Sequence, residues 1–183
     1  MSKAANFIPL SVKVESFSKL GKYLFALSDK DMANLAATAA FENPWFTLES
    51  VRLGLENIAH MLRNENLNIF VKVYAALSIQ REVKTVGVVM AGNIPAVGFH
   101  DAFCVLLSGH RLLAKLSKDD TVLMRFLLEK LIEIEPEFAP YIEFADRMKN
   151  MNAVICTGSD NSARYFEHYF GKYPHIIRKN RTS

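Results

Sequence analysis

An α/β fold with a helical N-terminal segment followed by a parallel sheet is what this sequence predicts, and three observations carry it. Over roughly the first 80 residues apolar side chains recur at steps of three and four, the helical period. From Val83 onward short β-branched apolar runs alternate with helical stretches, and such alternation means a parallel sheet with helices on its faces. The runs are continuous rather than alternately apolar and polar, as two-sided burial requires.

The helical segment divides into Glu15–Leu27, Asp31–Phe41, Leu48–Arg63 and Leu67–Leu77. In the third, Val51, Leu55, Ile58 and Leu62 form one stripe, and Thr47 stands where an N-cap belongs. Pro44 in Asn43-Pro44-Trp45-Phe46 breaks the chain between the second and third helices, and the aromatic pair is expected to pack that turn onto the core.

The sheet segment reads as strand Thr85–Met90, helix Ala96–Leu107, strand Arg111–Leu116, helix Asp119–Ile134, strand Ala153–Cys156, helix Ser159–Phe170 and a fourth strand from His175 to Arg178. Gly109 is the expected C′ residue of its helix. Asp119 and Asp120 fall at the positive end of theirs, where the dipole favours them. Pro136 stops that helix, and Phe138–Ala145 reads as one more short helix. The division is therefore 1–82 helical and 83–183 sheet-bearing. Because no closing element follows the fourth strand, a piece of a longer protein is expected.

With 183 residues, 50% of them hydrophobic and 22% charged, the composition is globular. A net charge of +3 is too small to argue for nucleic acid. No segment approaches the roughly 18 apolar residues of a membrane span. The N-terminus MSKAANFIPL lacks the apolar region of a signal peptide, and two cysteines are too few for a disulfide scaffold. A cytoplasmic protein is the economical reading.

Ligands of open parallel sheets bind beyond the carboxyl ends of the strands. Three stretches fall there. Gly92-Asn93-Ile94-Pro95 allows a tight turn, with Pro95 suited to the first turn of the next helix. It is either a plain turn or a mount for Asn93, whose amide N–H₂ suits a carbonyl oxygen that gains charge. Lys115-Leu116-Ser117-Lys118 places two ammonium groups and a hydroxyl within four residues; they are either solvated or set for a phosphate on a ribose. Thr157-Gly158-Ser159-Asp160 offers backbone N–H groups at a helix start, where an ordinary N-cap explains it equally and Asp160 argues mildly against an anion. Neither G-x-G-x-x-G nor G-x-x-x-x-G-K-[ST] occurs, and no His/Cys cluster has zinc spacing, so no metal is expected. Cys104 reads as a core residue. Cys156, at a strand end, is the slightly better thiol candidate though still buried and inert. His100 and Asp101 follow the GNIP turn by one helical turn; either they line the same mouth or His100 is a packing or surface residue.

These stretches, in this order, resemble the long-chain acyl-CoA reductase (LuxC-type) branch of the aldehyde dehydrogenase superfamily. The matching segments are VGVVMAGNIPAVGFHDAFCVLLSGHRLLAKLSKDD, AVICTGSDNSAR and HIIRKNRTS, with NPWFT before them. The resemblance implies a Rossmann-like cofactor domain beside a catalytic domain, absent here, that carries a nucleophilic Cys. It implies reduction of an acyl-CoA or other fatty acyl thioester to an aldehyde through a cysteine thioester, with NADPH as reductant. Asn93 becomes the oxyanion amide. Lys115 and Ser117 become contacts of the adenosine ribose, and Gly158 and Ser159 lie by the pyrophosphate. The wider superfamily often reads K-P-S-E, with the Glu on the ribose hydroxyls of NAD. Here Lys118 stands fourth, and a cation there attracts a 2′-phosphate, which implies NADP over NAD. The family's nucleophile lies well downstream of T-G-S, so the 183 residues alone are expected to be inactive. Homo-oligomers are common in the family through elements not present here. Two other readings stay open: a non-catalytic nucleotide-binding or interaction module, and an NAD(P)-dependent aldehyde dehydrogenase relative.

Overall fold

The computed structural model describes residues 7–79 and 82–179, without the side chains of Ala75, Ser78 and Asp160. Residues 1–6 of the N-terminal stretch MSKAANFIPL and the Asn180–Ser183 end of the third matching segment lie outside the described residues. Four helices come first: α1 (Leu10–Phe25), α2 (Asp29–Glu42), α3 (Leu48–Met61) and α4 (Asn64–Val73), then a 3-10 turn at Ala75–Ser78. The sheet follows as β1 (Thr85–Val89), α5 (Phe99–Leu107), β2 (Arg111–Lys115), α6 (Thr121–Ile134), a 3-10 turn at Pro136–Tyr141, β3 (Ile142–Phe144), β4 (Ala153–Gly158), α7 (Asp160–Phe170) and β5 (His175–Lys179). All pairings are parallel, in the order β3-β2-β1-β4-β5.

Side chains alternate across the sheet. Val86, Val88, Leu112 and Ala114 enter the larger core with α5, α6 and the N-terminal helices. Leu113, Val154 and Cys156 face the other way, against Met151, Phe166 and Phe170. Helices thus cover both faces, and α1 packs into the larger core through Phe17. Its ring lies 4.8 Å from Phe103 of α5 and 5.8 Å from Phe138.

The helix ends follow their caps. Ser28 accepts the Asp31 N–H at 3.1 Å and Thr47 accepts the Ser50 N–H at 3.1 Å, as the Thr47 reading required. Gly109 takes φ 82° after α5, the left-handed conformation that suits a C′ glycine.

Four expectations are corrected. Phe138–Ala145 is not a helix. Pro140 lacks an N–H, and Ile142–Phe144 pairs with Leu112–Ala114 as the outer strand instead. The helix after GNIP begins at Phe99, not Ala96, because Ala96 holds φ 56° and residues 95–98 form a turn; Pro95 therefore does not open α5. The helix read as Asp119–Ile134 begins at Thr121, with Asp119 and Asp120 just before it, and its first N–H groups are taken by Glu42 of α2, whose carboxylate accepts those of Thr121 and Val122 at 2.7 and 2.9 Å. Of the aromatic pair in the α2–α3 turn only Phe46 is buried, at 2% exposure, whereas Trp45 is 87% exposed.

Phe17 joins the helical layer to the sheet layer and is fully buried. Phe17→Ala is expected to cost about 3–5 kcal/mol of stability in urea denaturation, the range for an emptied aromatic core site. A loss below about 1 kcal/mol would mean that the two layers do not share one core.

Candidate functional site

The turn after β1 and the loop after β2 are built into each other. A Cβ on Gly92 would meet Ser117 Cβ at 2.7 Å, so only glycine lets the two segments approach. Asn43, 9% exposed, donates from Nδ2 to the Gly92 carbonyl at 3.1 Å and accepts the Trp45 N–H through Oδ1 at 3.1 Å. Asp120 accepts the Ala96 N–H at 2.8 Å. The turn is thus held at both ends, and Asn93 and Ile94 at its crest are exposed. The Asn93 amide makes no hydrogen bond to another described residue. An amide presented on an over-determined turn is what an oxyanion donor requires.

Ser117 is half-buried. Its hydroxyl accepts the Asp119 N–H at 3.3 Å, and its carbonyl accepts the Asp120 N–H and the Thr121 hydroxyl. Lys115 ends β2 on the face opposite the larger core and donates from Nζ to the Asp146 carbonyl at 2.7 Å. Lys118 is exposed. Lys115 stands in the wall between two clefts. One, of ≈ 580 Å³, is bordered by Lys115, Lys118, Thr121, Arg125 and Phe144. The other, of ≈ 760 Å³, lies between the 145–150 loop and α7 and is bordered by Lys115, Arg147, Lys149, Tyr165, Tyr169 and Tyr173. Aromatic walls for a planar base and the cations Lys115, Lys118, Arg125, Arg147 and Lys149 for phosphate oxygens make this pair of clefts fit a nucleotide with several phosphates.

Ser159 is the N-cap of α7; its hydroxyl accepts the Ser162 N–H at 3.3 Å. Gly158 packs closely, since a Cβ there would lie 3.0 Å from Phe166. The side chain of Asp160, read as disfavouring an anion, lies outside the described residues. Asn93, the Lys115–Lys118 loop and the Gly158–Ser159 turn all lie at the carboxyl ends of adjacent strands β1, β2 and β4. Residues that sequence reasoning missed are Arg147 and Lys149, whose loop shows no periodicity, and Tyr165 and Tyr169. The last two stand four apart on α7, a spacing that could have been read as one exposed aromatic face.

His100 follows on α5. Its Nδ1 lies 3.9 Å from the Asp101 carboxylate and 3.9 Å from Cys104 Sγ. Asp101 is 5% exposed and pairs with Arg178 of β5. Burial raises the Asp101 carboxyl, but His100 and Arg178 outweigh it and leave it below its usual range. Hydrogen bonding to Asp101, then to Cys104, holds the imidazole above its ordinary value, which favours imidazolium over a general base. Cys104 is half-buried, packed against the larger core at its margin. Cys156 is fully buried, and burial pushes its thiol up to about 12, so it is the inert one of the pair. Among the described residues no helix is long and apolar enough to cross a membrane, and no group of three or more His, Cys, Asp or Glu could hold a metal ion.

No protein-family description matches this chain, and no curated protein sequence matches it. Solved structures do. A protein from Burkholderia cenocepacia assigned to the aldehyde dehydrogenases superposes with a TM-score of 0.69 at 13% identity, over 94% of this chain and 40% of that one. An NAD-dependent benzaldehyde dehydrogenase from Corynebacterium glutamicum gives 0.62 at 14%, over 94% and 42%. Glyceraldehyde-3-phosphate dehydrogenase GapN from Methanocaldococcus jannaschii, complexed with NADP, gives 0.62 at 10%, over 96% and 42%. At these identities the likeness is one of fold. The chain spans about 40% of the length of the structures it matches, and those neighbours are members of the aldehyde dehydrogenase superfamily.

Native protein treated with a small thiol reagent at neutral pH is expected to take one label, at Cys104. Cys156 is expected to react only after unfolding, because its high pKa leaves almost no thiolate. Mass spectrometry of tryptic peptides checks both. Early labelling of Cys156 would contradict the packing of β4.

Proposed function

We propose that this chain is the cofactor-binding part of an NADPH-dependent oxidoreductase that reduces a fatty acyl thioester to an aldehyde. The nucleophilic Cys is supplied by protein outside the 183 residues, and this chain alone does not turn over. One observation carries the reading. The Asn93 turn, the Lys115–Lys118 loop and the Gly158–Ser159 turn follow the adjacent strands β1, β2 and β4, with Asn93 exposed and Lys115 and Lys118 bordering adjoining clefts. The motif resemblance over Val86–Asp120 supports the acyl-thioester assignment.

In this reading Tyr165 and Tyr169 offer faces to the adenine, Lys115 and Ser117 lie by its ribose, and Lys118 neutralises the 2′-phosphate. Gly158 and Ser159 border the pyrophosphate, where α7 directs its first N–H groups. When bound, the nicotinamide supplies hydride. Asn93 donates its amide N–H₂ to the thioester oxygen, lowering the cost of charge there; removing such a donor typically costs about 10²–10³ in rate. Two free cysteines suit a reducing cytoplasm.

A second reading, NAD(P)-dependent oxidation of an aldehyde, is favoured by the fold neighbours, which include an NAD-dependent benzaldehyde dehydrogenase and an NADP complex. Lys118 speaks for NADP within either reading.

Titration of the chain with NADPH and NADH, followed by cofactor fluorescence, tests the proposal. Saturable binding with NADPH tighter is expected. Lys118→Glu should weaken NADPH by roughly 10–100-fold, the size of a lost charge-assisted contact, and leave NADH little changed. An unchanged preference in Lys118→Glu would refute the role of that residue, and absence of binding by either nucleotide would refute the cofactor assignment.

A further inference from the structure

Asp120 is 1% exposed, yet it carries a carboxyl group. Its Oδ2 accepts the Ala96 N–H at 2.8 Å, while Oδ1 has no hydrogen-bond partner among the described residues. Burying half a carboxyl group unpaired is costly, so folding alone is a poor account of an acid at this position. Its acceptor role is also unusual. Ala96 holds φ 56°, a conformation L-residues avoid unless the surroundings impose it, and it lies three residues after Asn93. Asp120 itself closes the Ser117–Asp119 segment that begins beside Gly92 and includes Lys118. One carboxyl group therefore ties the turn bearing Asn93 to the loop bearing Lys118.

The charged group that faces Asp120 is Glu42 of α2, which caps α6 one residue further on. Asp119 adjoins it in the chain, and the turn packed against it, Gly92–Gly98, has no charged side chain. Burial, more than the Glu42 charge, pushes its carboxyl up to about 8, with the Ala96 N–H acting in the opposite sense.

We infer that Asp120 is a positioning residue for the site: its protonated carboxyl sets the Asn93 turn against the Lys118 loop, and its ionisation releases that setting. This rests on the reading that nucleotide and substrate lie across these two loops. Below the transition the carboxyl is neutral and tolerates burial. Above it, a second negative charge beside Glu42 draws water, and the turn shifts.

The test starts without any nucleotide. In isotope-labelled protein the Asn93 side-chain amide, the Ala96 backbone amide and the Asp120 carboxyl carbon are followed by NMR from about pH 6 to about pH 10, either side of the expected transition. The three signals are expected to titrate together with a midpoint near 8, and the Asn93 and Ala96 shifts to become flat in Asp120→Asn, whose amide oxygen still accepts the Ala96 N–H. NADPH affinity should then weaken severalfold across the same interval in the unaltered protein but not in Asp120→Asn. If the Asp120 carbon titrates in the ordinary carboxylate range, or Asn93 moves identically in Asp120→Asn, the inference is wrong. Should Asp120→Asn not fold, the unaltered protein decides: Asn93 and Asp120 share one midpoint, or the proposal falls. Because the NMR titration uses no cofactor, its failure is distinguishable from a failure to bind NADPH.

Discussion

The close approach of Gly92 to Ser117 is the constraint on which the rest of this arrangement depends. A side chain at Gly92 would push the turn after β1 away from the loop after β2. With the glycine in place, Asn43 reaches the Gly92 carbonyl, Asp120 reaches the Ala96 N–H, and Glu42 takes the first free N–H groups of α6. The N-terminal helices thus act on the strand ends directly. The α2–α3 junction supplies both Glu42 and Asn43, so the helical segment holds the strand-end loops as well as forming a layer of the core.

Electrostatics sorts the polar groups around this constraint. Cations collect where the chain is open: Lys115 is held at the edge of two clefts by the Asp146 carbonyl, with Lys118, Arg147 and Lys149 around it. Carboxyl groups collect underneath, at the start of α6, where the helix dipole and backbone N–H groups offset part of their burial. Asp101 takes a third course, paired with Arg178 across the first turn of α5. That pairing ties β5 to α5, while the Asp101 carboxylate itself draws His100 towards its charged form.

The parallel sheet and both helical layers were legible because burial writes them into the sequence: Val86–Met90 and Leu112–Ala114 are continuous apolar runs. What was not legible was decided by contacts between distant residues. The start of α1, Leu10–Val14, was missed because the buried residue there is Lys13, which breaks the apolar period. The outer strand Ile142–Phe144 has three residues, too few for a pattern, and exists through its pairing with β2. Asp119 and Asp120 were read at the positive end of their helix, yet the carboxylate that accepts its first N–H groups comes from Glu42, about 80 residues away. The candidate residues Asn93, Lys115 and Lys118 were singled out by residue type at strand ends. Their supports, Asn43 and Asp120, have no local signature. Trp45 and Phe46 are equally apolar in sequence, and the side of the turn on which each falls decided their opposite exposures.

The central claim is that nucleotide lies across the carboxyl ends of β1, β2 and β4. Backbone amide shifts of ¹⁵N-labelled protein, recorded with and without saturating NADP⁺, test this most directly. The account predicts that the perturbed amides cluster in the Gly92–Ile94 turn, the Lys115–Lys118 loop, the 146–150 loop and the start of α7. Perturbations confined to the helical layer, such as the ≈ 370 Å³ groove bordered by Lys22, Arg63 and Glu65, would contradict it.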